Sequence, residues 1–338
     1  MRITTSMMTH KYVRNLNKNG AMLNELNEKA TTGRKFFKGS EDPIGAIKAY
    51  KLRREYKETE MYDTNIGDVD SYLTVAETNL TEISNNMNSV YTSYLKGING
   101  TMSVEDREIV AKKLENLQES ILTSLNAKIS DRYVFGGTSR DEVPFTKDAA
   151  GNLLYKGINV NSTDSADQAK LKELEKESVN IDLGLDLKFS VDAVTGSEIL
   201  NKDTVFDISM AGIKFMGYGS NADGIPNNLY TLVGKIKDEL KSSGFSMDSI
   251  KPYINNYEEQ KKKVLVNVTD IGAKTNYLEF LKLRNEDNQF NLNKKILDVE
   301  YVDRAEAITE FKMQEYSYNA ALAMGNKILQ NSFIDFMK

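Results

Sequence analysis

The chain has no cysteine and one histidine, His10, in 338 residues. The first absence removes disulfides, thiolate catalysis and cysteine metal sites. The second leaves no multi-histidine metal site within one chain. A histidine triad would have to fold around His10 alone. Tryptophan is missing too. Proline occurs only at Pro43, Pro144, Pro226 and Pro252, so both ends are free of the strongest helix breaker. No stretch approaches the ~20 apolar residues of a membrane span. The first twenty residues hold nothing longer than apolar pairs such as Met7-Met8, which is not the core of a cleaved secretory signal. The net charge is -5. A mildly acidic chain does not suit phosphate-driven nucleic-acid binding, which needs a basic patch. Neither a nucleic acid nor a membrane is expected as a partner, and no cofactor or metal is expected.

What is present is helical periodicity. Ile66, Val69, Leu73, Ala76, Leu80, Ile83, Met87, Val90 and Tyr94 step by three and four residues. That 3.5-residue spacing holds one apolar seam against a partner helix. Asp42-Pro43 reads as an N-cap followed by proline at the first helical position. Asn99-Gly100 breaks the helix, and Ser103 to Asp106 reads as a capping box opening the next one. Val110, Leu114, Leu117, Ile121, Leu125 and Ile129 form its apolar face.

From about 132 to 226 the pattern changes. Ile181, Leu183, Leu185, Leu187, Phe189 and Val191 alternate with Asp, Gly, Asp, Lys and Ser. This predicts a strand with one buried face over 179–191. Phe206, Ile208, Met210, Ile213 and Phe215 predict a hairpin turning at Ala211-Gly212. The polar run 161–168 reads as a loop. The segment is expected to be a small β-containing domain inserted between helices.

After Pro226 the helical pattern returns, first over about 227–241. A second helix starts near Pro252, where Ile254, Tyr257, Val264, Val268, Ile271 and Leu278 form a 3.5-residue seam that resumes at Leu292, Ile296 and Val299. It is expected to pack on the seam from Ile66 to Tyr94. No Gly or Pro interrupts 273–324, so a single helix to Lys338 is expected, on the order of 130 Å long at ~1.5 Å per residue. A helix of that length belongs in an elongated body or a polymer. At the N-terminus Leu16, Leu23, Leu26 and Ala30 form a stripe that ends at Thr32-Gly33, a helix stop. Phe311, Tyr318, Leu322, Leu329, Phe333 and Phe336 form its counterpart at the C-terminus. The two stripes are expected to pair antiparallel. Two helices bury little area, so the pair should be stable only when neighbours cover it. Leu16, Leu23, Leu26, Phe311, Tyr318, Leu322, Leu329, Phe333 and Phe336 are the candidate self-assembly surface.

The predicted architecture is mainly α: an elongated antiparallel helical trunk built from both ends of the chain, with an inserted β-containing domain. The divisions are 1–40 with 300–338 as the polymerisation unit, 41–131 with 227–299 as the trunk, and 132–226 as the insert.

Local sequences then become recognisable. Met1 to Met8 (MRITTSMM), Thr31 to Arg34, Ser40 to Ile44 (SEDPI), Asp70 to Leu73 with Glu77, Asp131 to Gly137 (DRYVFGG), Asp270 to Ala273 with Asn276, and Leu329 to Phe336 stand in order at both ends. Together they resemble the flagellin superfamily. Met7-Met8, Asp42 to Ile44 and Tyr133 to Gly137 resemble its hook-associated protein 3 family more than the flagellins, which usually carry Ala in place of this Pro43. The resemblance covers roughly 1–137 and 226–338 and leaves the insert without a motif.

The resemblance implies a structural, non-enzymatic subunit of the bacterial flagellum. It would be exported through the flagellar channel without a cleaved signal, and would act outside the cell as the junction between hook and filament. Its implied partners are further copies of itself in a helical or ring layer, the first hook-associated protein on the hook side, flagellin on the filament side, and an export chaperone that holds the C-terminal stripe. A flagellin is the nearer alternative, and a non-flagellar coiled-coil scaffold or secretion-tip protein the farther one.

Other features have plainer readings. His10 reads as an ordinary helix residue, and Lys261 to Lys263 as a solvated face. Gly136-Gly137 lacks the strand, helix and further glycines of a nucleotide loop and reads as a turn. No carboxylate pair is marked as an acid and base.

Overall fold

The computed structural model describes residues 5–98, 103–149, 151–185, 188–191, 198–201 and 204–334. Helices dominate. α1 (Thr5–Thr32), α2 (Pro43–Ile98) and α3 (Val104–Leu125) open the chain. Short strands follow: β1 (Lys128–Ile129), β2 (Arg132–Tyr133), β3 (Phe145–Lys147), β4 (Leu153–Tyr155) and β5 (Ile158–Asn159). Then come α4 (Ser165–Glu175), β6 (Asn180–Ile181), β7 (Phe189–Val191), β8 (Glu198–Leu200) and β9 (Phe206–Asp207). α5 (Gly212–Met216), α6 (Leu229–Lys241), α7 (Met247–Glu300) and α8 (Arg304–Ile334) complete the fold. Among the described residues all strand pairing is antiparallel: β1 with β2, β3-β4-β5, β6 with β9, and β7 with β8. The chain is mainly α with a small β-containing insert.

Contacts sort the chain into two compact units, Met1–Glu60 with Glu286–Lys338, and Met61–Asn285. The second unit holds the hydrophobic core. All nine α2 residues of the Ile66 to Tyr94 seam are buried there, with Leu114, Ile121 and Leu125 of α3 and Tyr257, Val264, Ile271 and Leu278 of α7. The seams of α2 and α7 pack on each other as their spacing requires, and the Tyr257 hydroxyl donates to the Met87 carbonyl at 2.9 Å. That bond satisfies a phenol that is otherwise fully buried. α3 lies against α6, where buried Gln118 Nε2 donates to the Tyr230 carbonyl at 2.9 Å.

The caps at Asp42 and Ser103 fall where the sequence places them. Asp42 Oδ1 accepts from the Gly45 N–H at 2.9 Å at the start of α2. Ser103 and Asp106 form a capping box on α3. Asn99-Gly100, the expected break before it, lies outside the described residues. Asn228 caps α6. Ser130 and Asp131, both at positive φ, make the two-residue turn between β1 and β2. The chain after it buries Val134 and Phe135, and Tyr72 donates its hydroxyl to the Val134 carbonyl at 2.5 Å.

Four local expectations are corrected. The single strand over 179–191 is two short ones, β6 and β7. Asp182 Oδ1 accepts from the Gly184 N–H at 2.9 Å, and Gly184 sits at φ 81°, so the backbone turns there instead of extending. The hairpin at Ala211-Gly212 does not form: β9 pairs with β6, and Gly212–Met216 is the helical turn α5. Phe215 and Met216 are adjacent and both buried, which a one-sided strand cannot achieve. The polar run 161–168 is a loop only as far as Asp164, which caps α4 with a bond to Ala166 N–H at 3.1 Å.

The long C-terminal helix is two helices. α7 starts at Met247, with Pro252 inside it, and ends at Glu300. Asp303 then caps α8, its Oδ1 accepting from the Ala305 N–H at 2.8 Å. The break is held by tertiary partners. Val302 N–H donates to the Gly33 carbonyl at 2.8 Å, and Arg34 bridges to Tyr301.

Candidate assembly surface

The first unit is built from α1, α8, the first turns of α2 and the end of α7. α1 ends at Gly33, whose φ of 74° is the left-handed conformation a glycine stop supplies. α1 and α8 pack side by side and run antiparallel. Tyr12 donates its hydroxyl to the Ala321 carbonyl at 3.0 Å, and Gln314 Nε2 donates to the Asn19 carbonyl at 3.3 Å. Each helix offers a glycine to the other's tyrosine. The Tyr318 ring lies 3.5 Å from where a Cβ on Gly20 would sit, and the Tyr12 phenol occupies the space a Cβ on Gly325 would need. Close backbone approach substitutes here for large interlocking side chains.

The α7–α8 joint is fastened to the α1–α2 turn. Lys35 N–H donates to the Glu300 carbonyl at 2.8 Å, and Lys35 Nζ to the Asp298 carbonyl at 2.5 Å. The Arg53 guanidinium grips the Glu300 carboxylate with Nε and Nη2, both at 2.5 Å. The hydrogen bond from Arg53 holds the Glu300 carboxyl below its ordinary range. Burial opposes that shift, and the charges of Arg53 and Arg34 assist it. The same bond raises Arg53.

The candidate self-assembly residues divide. Leu16, Leu23 and Leu26 on α1, and Phe311 and Tyr318 on α8, are half-buried in the seam between the two helices. Leu322 is exposed. The side chains of Leu329 and Phe333, and all of Phe336, lie outside the described residues. A second apolar face was not picked out by the sequence. On α8, Ile308, Met313, Tyr316 and Met324 point away from the seam, with Met313 69% and Tyr316 81% exposed. Met7, Val13 and Met22 on α1 are also exposed.

The core of this unit is thin. Among the described residues its only buried hydrophobic side chains are Ala49, Ile296 and Ala307. Its exposed apolar side chains therefore form a surface that gains stability when covered.

Among the described residues no group of three His, Cys, Asp or Glu side chains is arranged to hold a metal, and no helix is long and apolar enough to cross a membrane. His10 is an exposed residue of α1. A polar cleft of about 420 Å³ beside Gln118 and Tyr230 contains the Lys147–Glu119 ion pair. Gly137 is a turn residue at φ 64°.

The model of the bacterial flagellin N-terminal helical region matches residues 3–139. The chain is 22% identical to flagellar hook-associated protein 3 of Escherichia coli over 331 residues, 95% of each chain. It is 21% identical to the Salmonella typhimurium protein of the same name over 322 residues, again 95% of each. A solved structure from Vibrio parahaemolyticus, described as a flagellar hook-associated protein, aligns with a TM-score of 0.57 at 22% identity, covering 77% of this chain and 100% of that one. The chain is thus similar to the flagellin N-terminal helical region at its start, and to flagellar hook-associated protein 3 from end to end.

Proposed function

We propose that this chain is a structural subunit of the bacterial flagellum that joins hook to filament outside the cell. The observation that carries the reading is the likeness to two hook-associated proteins over 95% of both partners. The thin core and exposed apolar face of the first unit support it, because a subunit that completes itself on assembly needs such a surface. In this reading the chain is exported without a cleaved signal, with a chaperone on its C-terminal stripe. It then forms a layer of identical subunits between the first hook-associated protein and flagellin. Residues 1–40 with 300–338 serve polymerisation, 41–131 with 227–299 form the trunk, and 132–226 form the insert. The half-buried seam of Leu16, Leu23, Leu26, Phe311 and Tyr318 holds α1 to α8. Ile308, Met313 and Tyr316 make the contact between subunits, which the C-terminal Leu329, Phe333 and Phe336 extend.

The test is sedimentation and electron microscopy of the purified chain in filament-promoting salt, with or without hook fragments that carry the first hook-associated protein. A short cap on those hooks, and no filaments alone, is the expected result. The triple variant Ile308→Asn, Met313→Gln, Tyr316→Ser should lose capping while its melting shifts by no more than about 0.5 kcal/mol, as for exposed positions. Long smooth filaments from the chain alone would refute the junction reading in favour of a flagellin, the reading that the flagellin N-terminal match also admits.

A further inference from the structure

Methionine is distributed unevenly between core and surface. Among the described side chains, Met87, Met210 and Met216 are buried in the second unit, Met87 and Met216 at 0% exposure. Met7, Met8, Met22, Met313 and Met324 are exposed, and all five lie on α1 and α8. Met61 on α2 is the sixth exposed one. Thioethers suit an adaptable contact surface, because they are unbranched and polarizable and repack easily. They are also the apolar side chains most readily made polar by mild oxidation.

We propose that the methionines of α1 and α8 are an oxidative modification site, and that their conversion to sulfoxides by hydroperoxides switches off the apolar surface of the first unit. The inference rests on the assembly reading above and adds a control to it. In the reaction a sulfur lone pair attacks one peroxide oxygen. An S–O bond forms and the O–O bond breaks. The departing oxygen takes the proton of the transferred hydroxyl and leaves as water from hydrogen peroxide, or as an alcohol from an organic hydroperoxide. Sulfur is oxidised by two electrons and the peroxide is reduced. The product carries a strongly polar S–O group in place of an apolar thioether, so a face that gained by being covered now loses hydration when covered. The hydrophobic core of the second unit is spared, because its methionines are sealed from the oxidant. Oxidation therefore acts on the free subunit's surface without unfolding its core.

Peptide mapping by mass spectrometry after graded hydrogen peroxide treatment of the full chain tests the selectivity. Gains of about 16 Da, one oxygen each, are expected at the five residues of α1 and α8 and at Met61 before Met87, Met210 or Met216. Equal modification of Met87 would overturn the proposal. The oxidised chain should keep its helical circular dichroism but lose capping of hook fragments and elute earlier from a hydrophobic-interaction column. A variant with Met7, Met8, Met22 and Met324 changed to Leu should lose less column retention after peroxide than the wild-type chain, whereas Met61→Leu alone should not protect. Unchanged capping and retention of the oxidised wild-type chain would overturn the proposal. If the untreated chain fails to cap hooks, the junction reading falls instead, and mapping with column retention still decides the oxidation.

Discussion

Arg53→Ala tests how the first unit is held together. Glu300 is the last residue of α7, and its side chain is 10% exposed, while Arg53 is 55% exposed. A carboxylate at a helix C-terminus faces the negative end of the helix dipole, so it depends on its cationic partner. Removing one partner of a fully buried pair costs about 3–5 kcal/mol. Water reaches this pair from the arginine side and screens it. The expected cost is therefore about 1–3 kcal/mol, falling on the α7–α8 joint. The Lys35 and Val302 amides, which donate to the Glu300 and Gly33 carbonyls, report opening of that joint. Their hydrogen exchange should speed up by a factor of about 5 to 150 if they exchange through this opening. Glu300→Gln should cost less, because a neutral amide is cheaper to leave buried. The double variant should show a coupling of at least about 0.5 kcal/mol, the lower limit for groups in contact.

The dependence on pH follows from the same pair. Glu300 binds its proton less readily in the folded chain than in the unfolded one, where a carboxyl titrates at about 4.3. The stabilisation is therefore complete above that value and is lost as pH falls through the lower folded value. In Arg53→Ala the lowering hydrogen bond is gone and burial remains, so the deficit against wild type should be full at neutral pH and shrink on acidification. A deficit that grew with acid, or unchanged exchange at Lys35 and Val302, would refute this account.

Two further substitutions probe backbone and packing. Gly33→Ala should destabilise the first unit by about 1–2 kcal/mol, because alanine is strained at φ 74° and its Cβ would lie 3.2 Å from Arg304 Nε. A neutral thermal melt would refute that. Gly212→Ala would put a Cβ 2.5 Å from the Phe145 ring and should cost about 1–3 kcal/mol by overpacking. A denaturant midpoint equal to wild type would show that the ring can yield.

Long regular segments were legible because their signal repeats. The α2 seam from Ile66 to Tyr94 carries nine concordant positions, and every one is buried. Caps at Asp42, Ser103 and Gly33 were legible because each uses a side chain or a conformation specific to a helix end. The insert was not, because its short strands give periodicity too little length. The alternation over 179–191 was real in composition, yet one Asx turn at Asp182 with Gly184 outweighs it. The break between α7 and α8 was hidden for a different reason. Neither Gly nor Pro marks it, and Val302 and Tyr301 are held out of the helix by Gly33 and Arg34, which lie far away in sequence. The spacing from Asp303 to Glu306 did carry a local signal, a helix start of the D-x-x-E kind, within what otherwise reads as one helix.

The candidate assembly surface shows where a hydrophobic pattern stops being informative about partners. Periodicity finds residues that share a face of one helix, and α1 and α8 use that face on each other. Tyr12 and Tyr318 fit over Gly325 and Gly20, so the regular stripe is half-covered within the chain. A surface left for a neighbour need not be periodic, since it meets a partner only over a short patch. Ile308, Met313 and Tyr316 do not continue the stripe, and only exposure in the folded chain sets them apart from it. This separates the effects of mutation. A change such as Leu23→Ala in the half-buried seam should loosen the helix pair itself. A polar change at Tyr316, which is exposed, should leave that pair intact and, in the proposed assembly, weaken only the contact between subunits.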